Sequence, residues 1–473
     1  MRNPKGSRIC LGIRTIFILT LLSILIVMMP HTSASESQQF LIGGDVNEDG
    51  TINIIDALLI AQATIRLTPL TQIQLSEADV NKDGKVDITD SLFIAQYTVG
   101  LRQIFQNWVT KEHNFEHTGI SNSVDVLTPT IEWKKSGVVG TYDEWGGVIV
   151  VDGIIYTVPM TTEKNMYAIY SHNQSIKCSK NIGQTNSPAT YYNHIIYIHN
   201  VAGNLFALNE DCSEKWIRKV TTSQNSGAIS ISKENNAIFV SQGTPLRLYS
   251  YDLNTGNKNW DIPLSWDITF GIVYNNGLIY ISGCCSSNLK SNLAAYYSNN
   301  GTLLWERIIS GDVWDSDLLL WNNVLYTSTY YSDTDNIFAI NLDGTIKWKQ
   351  KIGGHSTPTT PKIYNNILWM VSSNISTMLY GINPYTGSII YNGLRLDSDD
   401  NSDNSYTSII LGQNQFYFTT TGGSHNKLYA FSYSGNKVWS YDFGNTKLFS
   451  QGVLVNGELY ITADDTTLYV FKG

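Results

Sequence analysis

Residues 337–348 read IFAINLDGTIKW: a short alternating apolar run, an Asp-Gly pair, then a second alternating run that ends on Trp348. Period-two alternation on both sides of Asn/Asp-Gly marks a β-hairpin, because those residues tolerate the left-handed backbone of a tight turn. The phrase recurs. Its opening triplet starts at Met166, Leu205, Leu248, Leu293, Ile337, Leu379, Leu428 and Leu468, at intervals of 39, 43, 45, 44, 42, 49 and 40 residues. Its closing Trp returns as Trp260, Trp305 and Trp439. Another hairpin precedes the triplet, as in VIVVDGIIYTV and VLVNGELYIT. Four short strands in each repeat of this length predict the blade of a β-propeller.

Counting decides how the ring closes. Eight triplets are present, yet the last, LYVFKG, ends the sequence with no outer strand after it. PTIEWKKSG is an orphan outer strand with Trp133 at the repeated Trp position. Pairing the two completes an eighth blade and removes an open sheet edge. The repeated Trp, the triplet-turn-Trp phrase and the lead-in NWVTKEHNFEHTG at 107–119 together resemble the pyrroloquinoline-quinone-like propeller family over residues 107–473. The resemblance specifies fold far better than function. It raises an alternative, a quinoprotein dehydrogenase, for which the vicinal pair Cys284–Cys285 is a hint. The blades are near minimal length and lack the large insertions that roof such a cofactor, so a pyrroloquinoline quinone is not expected.

The expected role of the propeller is binding. The connections entering the inner strands should crowd one mouth of the central channel, and three of them join aromatic rings to carboxylates: Tyr142, Asp143 and Trp145; Trp266 and Asp267; Trp314, Asp315 and Asp317. Stacking combined with carboxylate hydrogen bonding suits a saccharide or peptide ligand. The acidic stretch LDSDDNSDNSY at 396–406 lacks a turn Gly and a closing carboxylate, and reads as a solvated insertion.

Upstream stands a different pattern. GDVNEDGTINIID starts at Gly44, and ADVNKDGKVDITD repeats it 34 residues on. A hard cation such as calcium takes six to eight oxygens from a twelve-residue loop with a glycine turn at its centre. Asp45, Asn47, Asp49, Thr51 through its carbonyl, Asn53 and Asp56 occupy loop positions 1, 3, 5, 7, 9 and 12; Asp79, Asn81, Asp83, Lys85 through its carbonyl, Asp87 and Asp90 repeat them. Apolar Ile52 and Val86 hold position 8, where paired loops would touch. A helical i, i+3, i+4 pattern follows each loop, but no helix is expected before either.

Loop-then-helix, duplicated and closed by Asp, resembles the type I dockerin family over residues 41–104. The resemblance implies two bound calcium ions and a partner bearing a cohesin domain. It maps recognition to Ile54, Ile55, Ala61 and Gln62 in the first repeat and to Ile88, Thr89, Ala95 and Gln96 in the second. The apolar pair Ile54–Ile55 suggests an apolar contact. The expected fold class is therefore multidomain: a small all-α calcium-loop duplicate, then an all-β eight-bladed propeller closed by N- and C-terminal strands.

Composition fits such a chain. Of 473 residues, 42% are hydrophobic and 15% charged, enough apolar mass for sizeable cores. The net charge of -9 is local: residues 41–104 hold nine acids against four bases. No basic stripe is present, which argues against a nucleic-acid partner. Arg2, Lys5, Arg8 and Arg14, an apolar run from 16 to 29, and small residues around Ala34 form a secretory signal pattern over 1–34, with no later stretch of spanning length. A secreted or cell-surface location follows. Cys178, Cys212, Cys284 and Cys285 remain after cleavage, without metal-site spacing, and leave room for buried thiols or one disulfide. There is no nucleophile elbow, metal-hydrolase motif or phosphate loop, so no enzyme activity is expected.

Overall fold

The computed structural model describes residues 41–473 apart from short breaks, chiefly 48–51, 81–84, 100–103, 111–113, 141–146, 159–163, 222–225, 243–245, 286–289, 314–316, 330–334, 354–359, 374–376, 396–408, 421–425 and 449–451, and some isolated positions. The signal pattern and the acidic 396–406 stretch lie outside the described residues. Two compact units divide at 106/107.

In the first unit, each calcium-type loop ends in a capping box that starts a helix. Asn53 with Asp56 opens Ile54–Thr64, and Asp87 with Asp90 opens Ile88–Thr98. Such reciprocal caps satisfy backbone donors that a helix start leaves orphaned. One expectation needs correction: a short helix, Gln72–Ala78, does precede the second loop, opened by a Thr71/Gln74 capping box. The T-x-x-Q spacing was readable, but seven residues are too few for periodicity to show. Val46, Ala57, Ile60, Ala78, Val80, Ile94 and Ala95 form the core, with Ile52 and Val86 packed against it. Leu41–Ile42 and Ile104–Phe105 pair in parallel and bring the two ends of the unit together.

The second unit is a ring of eight four-stranded antiparallel sheets. Seven follow chain order, at 148–181, 190–219, 226–263, 268–310, 319–350, 362–395 and 410–442. The eighth joins three strands from 453–472 to Ile131–Ser136, with Trp133 opposite Val470 and Ser136 opposite Thr467. This closure leaves no blade with a missing outer strand.

The repeated Trp locks blade to blade. Indole Nε1 of Trp216, Trp260, Trp305, Trp348 and Trp439 donates to a carbonyl of the following blade: Leu253 (3.1 Å), Ser298 (3.0 Å), Leu342 (2.8 Å), Pro384 (2.8 Å) and, through the lead-in segment, Val126 (2.8 Å). For the first four, the ring lies on the turn glycine of that blade. At Gly344, φ is +82° and a Cβ would fall 2.6 Å from the Trp305 ring, so both conformation and space demand glycine.

Blades 1 and 2 use other chemistry at the same place. Cys178 opposes Ala168 as Trp348 opposes Ala339. Cys212, at φ +63°, stands in its turn where Gly344 stands, each amide bonded to the carbonyl three residues back at 2.9 Å. The two cysteines form a disulfide. A covalent staple thus replaces the Trp–Gly contact. It closes a 34-residue separation, for which chain-entropy arguments give about 3–4 kcal/mol. Reduction, or Cys178→Ser, should lower unfolding stability by that order in denaturant titration, and the pair Cys178→Trp, Cys212→Gly should recover much of the loss; an unchanged midpoint on reduction would remove the disulfide from the account of ring stability.

The lead-in segment runs along the inner strands. Trp108 exchanges backbone hydrogen bonds with Val150 of blade 1 (2.7 and 3.1 Å), and Val109 accepts from Tyr191 of blade 2 (2.7 Å). Further on, the His117 carbonyl accepts from Lys362 Nζ of blade 6 (2.8 Å), Ser121 N donates to Leu411 of blade 7 (2.7 Å), and Ser121 Oγ donates to Leu454 of blade 8 (2.5 Å). The segment therefore ties early blades to late ones from inside the ring.

Candidate calcium centre and docking face

Two carboxylates organise the loops. Asp56 is fully buried; its Oδ1 accepts from the amides of Val46 (2.9 Å) and Asn47 (3.1 Å), and its Oδ2 from Asn53 (2.9 Å). Asp90 is equally buried and accepts from Val80 (3.0 Å) and Asp87 (2.9 Å). Each ties position 12 of its loop back to position 2. A buried carboxylate carries a large desolvation cost unless hydrogen bonds and a counter-charge offset it. Here the hydrogen bonds come from the loop itself, and the net charge still calls for a cation.

The remaining donors fit that demand. Asp45, Asn47 and Asn53 in the first loop, and Asp79, Lys85 and Asp87 in the second, stand within the described residues; Asp49, Thr51, Asn81 and Asp83 lie outside them. Among the described residues no three carboxylate, His or Cys side chains converge, and position 5 of each loop lies outside them. Asp87 has its carboxyl held below the usual range by hydrogen bonds from the amide and hydroxyl of Thr89. The oxygen-only donor set suits calcium rather than zinc or copper.

The two repeats face each other through their helices, where Ser91 Oγ donates to the Ala57 carbonyl at 2.6 Å. Of the expected recognition residues, Ile54, Ile55 and Ile88 are 42%, 52% and 48% exposed, large values for isoleucine. Gln62, Thr89 and Gln96 are half-buried. Ala61 and Ala95 are not surface residues: at 2% and 1% exposure they belong to the core between the helices, so their place as partner contacts is corrected. The structure adds Ile65 and Val99, 47% and 57% exposed. Each lies eleven residues, three helical turns, beyond Ile54 or Ile88, a spacing on one helix face that the sequence already carried.

The expected mouth site is mostly not described. Tyr142, Asp143, Trp145, Asp267, Trp314 and Asp315 lie outside the described residues. Trp266 is corrected: it is 3% exposed, packed among Leu264 and Tyr296, with Nε1 donating to Glu306 Oε1 on the outer strand of blade 4 at 2.8 Å. It is an interblade packing residue. Asp317 is buried, its amide donating to Thr360 Oγ1 at 3.1 Å. Cys284 and Cys285 end the strand Leu278–Cys285, and their side chains are outside the described residues.

Residues 43–98 match the dockerin type I domain, and residues 246–472 match the family described as outer membrane protein assembly factor BamB. Comparison with curated protein sequences gives no match. Among solved structures, BamB from Moraxella catarrhalis is 13% identical with TM-score 0.53, over 73% of this chain and 99% of that one. A europium-containing methanol dehydrogenase is 12% identical with TM-score 0.58, over 78% and 98%. A quinohemoprotein alcohol dehydrogenase from Comamonas testosteroni is 11% identical with TM-score 0.56, over 77% and 80%. At such identities the likeness carries fold alone, and it spans an assembly factor and oxidoreductases alike. The chain is a type I dockerin domain joined to an eight-bladed, pyrroloquinoline-quinone-like β-propeller.

Proposed function

We propose that this is an exported protein whose dockerin domain, loaded with two calcium ions, docks onto a cohesin-bearing scaffold or cell-surface protein and presents the propeller as a ligand- or protein-binding module, within a polysaccharide-degrading assembly. The observation that carries the docking is the duplicated constellation of a buried loop-closing carboxylate beside an exposed isoleucine: Asp56 with Ile54 and Ile55, Asp90 with Ile88. Export is supported by the Cys178–Cys212 disulfide, since such bonds persist in oxidising compartments. No helix among the described residues is long and apolar enough to cross a membrane.

Because the two repeats offer near-equivalent faces, either should suffice for docking. Ile55→Asp or Ile88→Asp alone should weaken capture of a cohesin-bearing protein by about twofold, the statistical factor for losing one of two orientations. The double variant should lose roughly a hundredfold or more, as a buried unpaired charge costs several kcal/mol. The test is affinity capture by the full chain with calcium from secreted and envelope proteins, eluted by chelator. An eluate without a cohesin-bearing protein, from folded and calcium-loaded bait, overturns the reading.

A second reading, a quinoprotein dehydrogenase, agrees with some structural neighbours without being singled out by them. A quinone cofactor would need room and charged donors near the ring axis. Lys362, on an inner strand, is fully buried, its Nζ spent on the His117 carbonyl, and Gly119 lies so close that a Cβ there would fall 2.6 Å from the lysine stem. Here the lysine and the lead-in segment engage each other, and no catalytic step is assigned.

A further inference from the structure

We infer that the propeller carries a saccharide-binding surface on its hairpin face, centred on Trp321 and Tyr385 of blades 5 and 6, opposite the mouth formed by the connections between blades. The inference rests on the reading of the propeller as a binding module and gives it a place and a ligand class: a polysaccharide chain.

Trp321 ends the inner strand Leu319–Trp321 and Tyr385 lies in the outer hairpin turn of the next blade; their rings meet at 5.5 Å and 58°. Unlike the five locking tryptophans, Trp321 has no acceptor for its Nε1 among the described residues; its ring is half-buried, as those of Trp260 and Trp305 are. Tyr385 is 47% exposed. The two form an open aromatic corner of the kind that stacks on the apolar face of a pyranose.

The corner is rigid. Pro384, just before Tyr385, accepts on its carbonyl from both Trp348 Nε1 (2.8 Å) and Tyr326 OH (3.0 Å). Asn383 Oδ1 holds the amides of Tyr385 (2.9 Å) and Thr386 (3.1 Å). A site held by its supporting shell loses little entropy on binding.

Amides surround it at a cost to the backbone. Inner hairpins of blades 1, 4 and 8 turn on Asp152-Gly153, Asn276-Gly277 and Asn456-Gly457, with glycine in the second left-handed position. Blades 5 and 6 instead use Asn322-Asn323 and Asn365-Asn366, all four at φ between +48° and +57°. Asparagine tolerates that region less well than glycine. Blade 2 also departs from glycine, with Asn193-His194 at φ +49° and +60°; at Asn323 and Asn366, flanking the aromatic corner, the second asparagine gains the turn nothing. Asn366 Oδ1 accepts from Tyr385 OH at 3.2 Å, while Asn322, Asn323 and Asn365 are exposed to solvent. Amides that both donate and accept, beside two tilted rings of which Tyr385 has Lys347 Nζ 5.8 Å from its centroid, match the hydroxyls of a sugar.

The test is affinity electrophoresis and calorimetry of the full, calcium-loaded chain with soluble β-glucan, xylan and mannan. Retardation by at least one is expected. Trp321→Ala and Tyr385→Ala should each weaken it about tenfold or more. Asn323→Gly with Asn366→Gly should weaken it several-fold while leaving the melting temperature unchanged or higher, which separates ligand contact from damage to the fold. Binding that survives all three variants overturns this surface and leaves a binding propeller with its site elsewhere. No retardation by any of the polysaccharides, or retention only by a proline-rich peptide probe, overturns the saccharide assignment, while the calcium-dependent capture of a cohesin-bearing protein is read independently.

Discussion

Chelating calcium from the full chain should abolish the helical circular-dichroism signal of residues 41–106 and leave the propeller's own unfolding transition in place. With the cations gone, the loop carboxylates Asp45, Asp56, Asp79, Asp87 and Asp90 lack a counter-charge, and two of them, Asp56 and Asp90, are buried. A module this small gains only about 0.05–0.15 kcal/mol per residue from folding, in sum less than the binding free energy that a structural metal commonly contributes. Asp56→Ala should do the same without a chelator. It leaves the amides of Val46, Asn47 and Asn53 without their acceptor, at about 1–3 kcal/mol each. Asp56→Asn keeps one acceptor oxygen and should fall between. A helical signal that persists in excess chelator would mean that the loops close without metal.

The second large effect is expected at Trp348. It is 9% exposed, packs on Tyr326 with ring centroids 5.9 Å apart, and reaches Pro384 of the next blade. Trp348→Ala should destabilise the propeller by about 3–5 kcal/mol, most of it from the cavity. The Pro384 carbonyl would keep the Tyr326 hydroxyl as a donor, so little of the loss comes from an orphaned acceptor. Trp348→Phe should cost about half as much. Trp321→Ala, on the open face, should change stability by less than about 1 kcal/mol. Denaturant titration of the three variants checks both halves; equal losses at Trp348 and Trp321 would erase the division between locking and surface tryptophans.

The ring was legible because blades repeat. Asn/Asp-Gly turns and Trp at fixed offsets are local features, and the arithmetic of an orphan outer strand at Trp133 required its closing partner at the far end. The disulfide was less legible. Cys178 and Cys212 show their meaning only when aligned on the Trp and Gly of other blades, an equivalence set by strand register rather than by spacing. Trp266 misled for the opposite reason: its connection belongs to the mouth, but its ring turns outward to Glu306, and direction is not written in a connection's composition. Ala61 and Ala95 failed because a family's recognition positions were carried over without asking which helix face each repeat uses against the other. The Trp321–Tyr385 corner is formed by residues 64 positions apart, and sequence offers no periodicity that joins them.

The closure has a consequence in time. Thr467–Lys472 is the strand that receives Ile131–Ser136, and the amide of Gly457 reaches back to Ser123 across 334 residues. The ring cannot shut until residues 467–472 have been made and, in an exported chain, have crossed the membrane. The calcium loops have no such wait: Asp56 reaches only ten residues back to Val46. Local contacts of this kind form fast, and distant ones form late. Under the docking proposed above, the module can therefore fold and engage a partner while the propeller is still an open arc, so assembly onto a scaffold would not have to follow completion of the propeller.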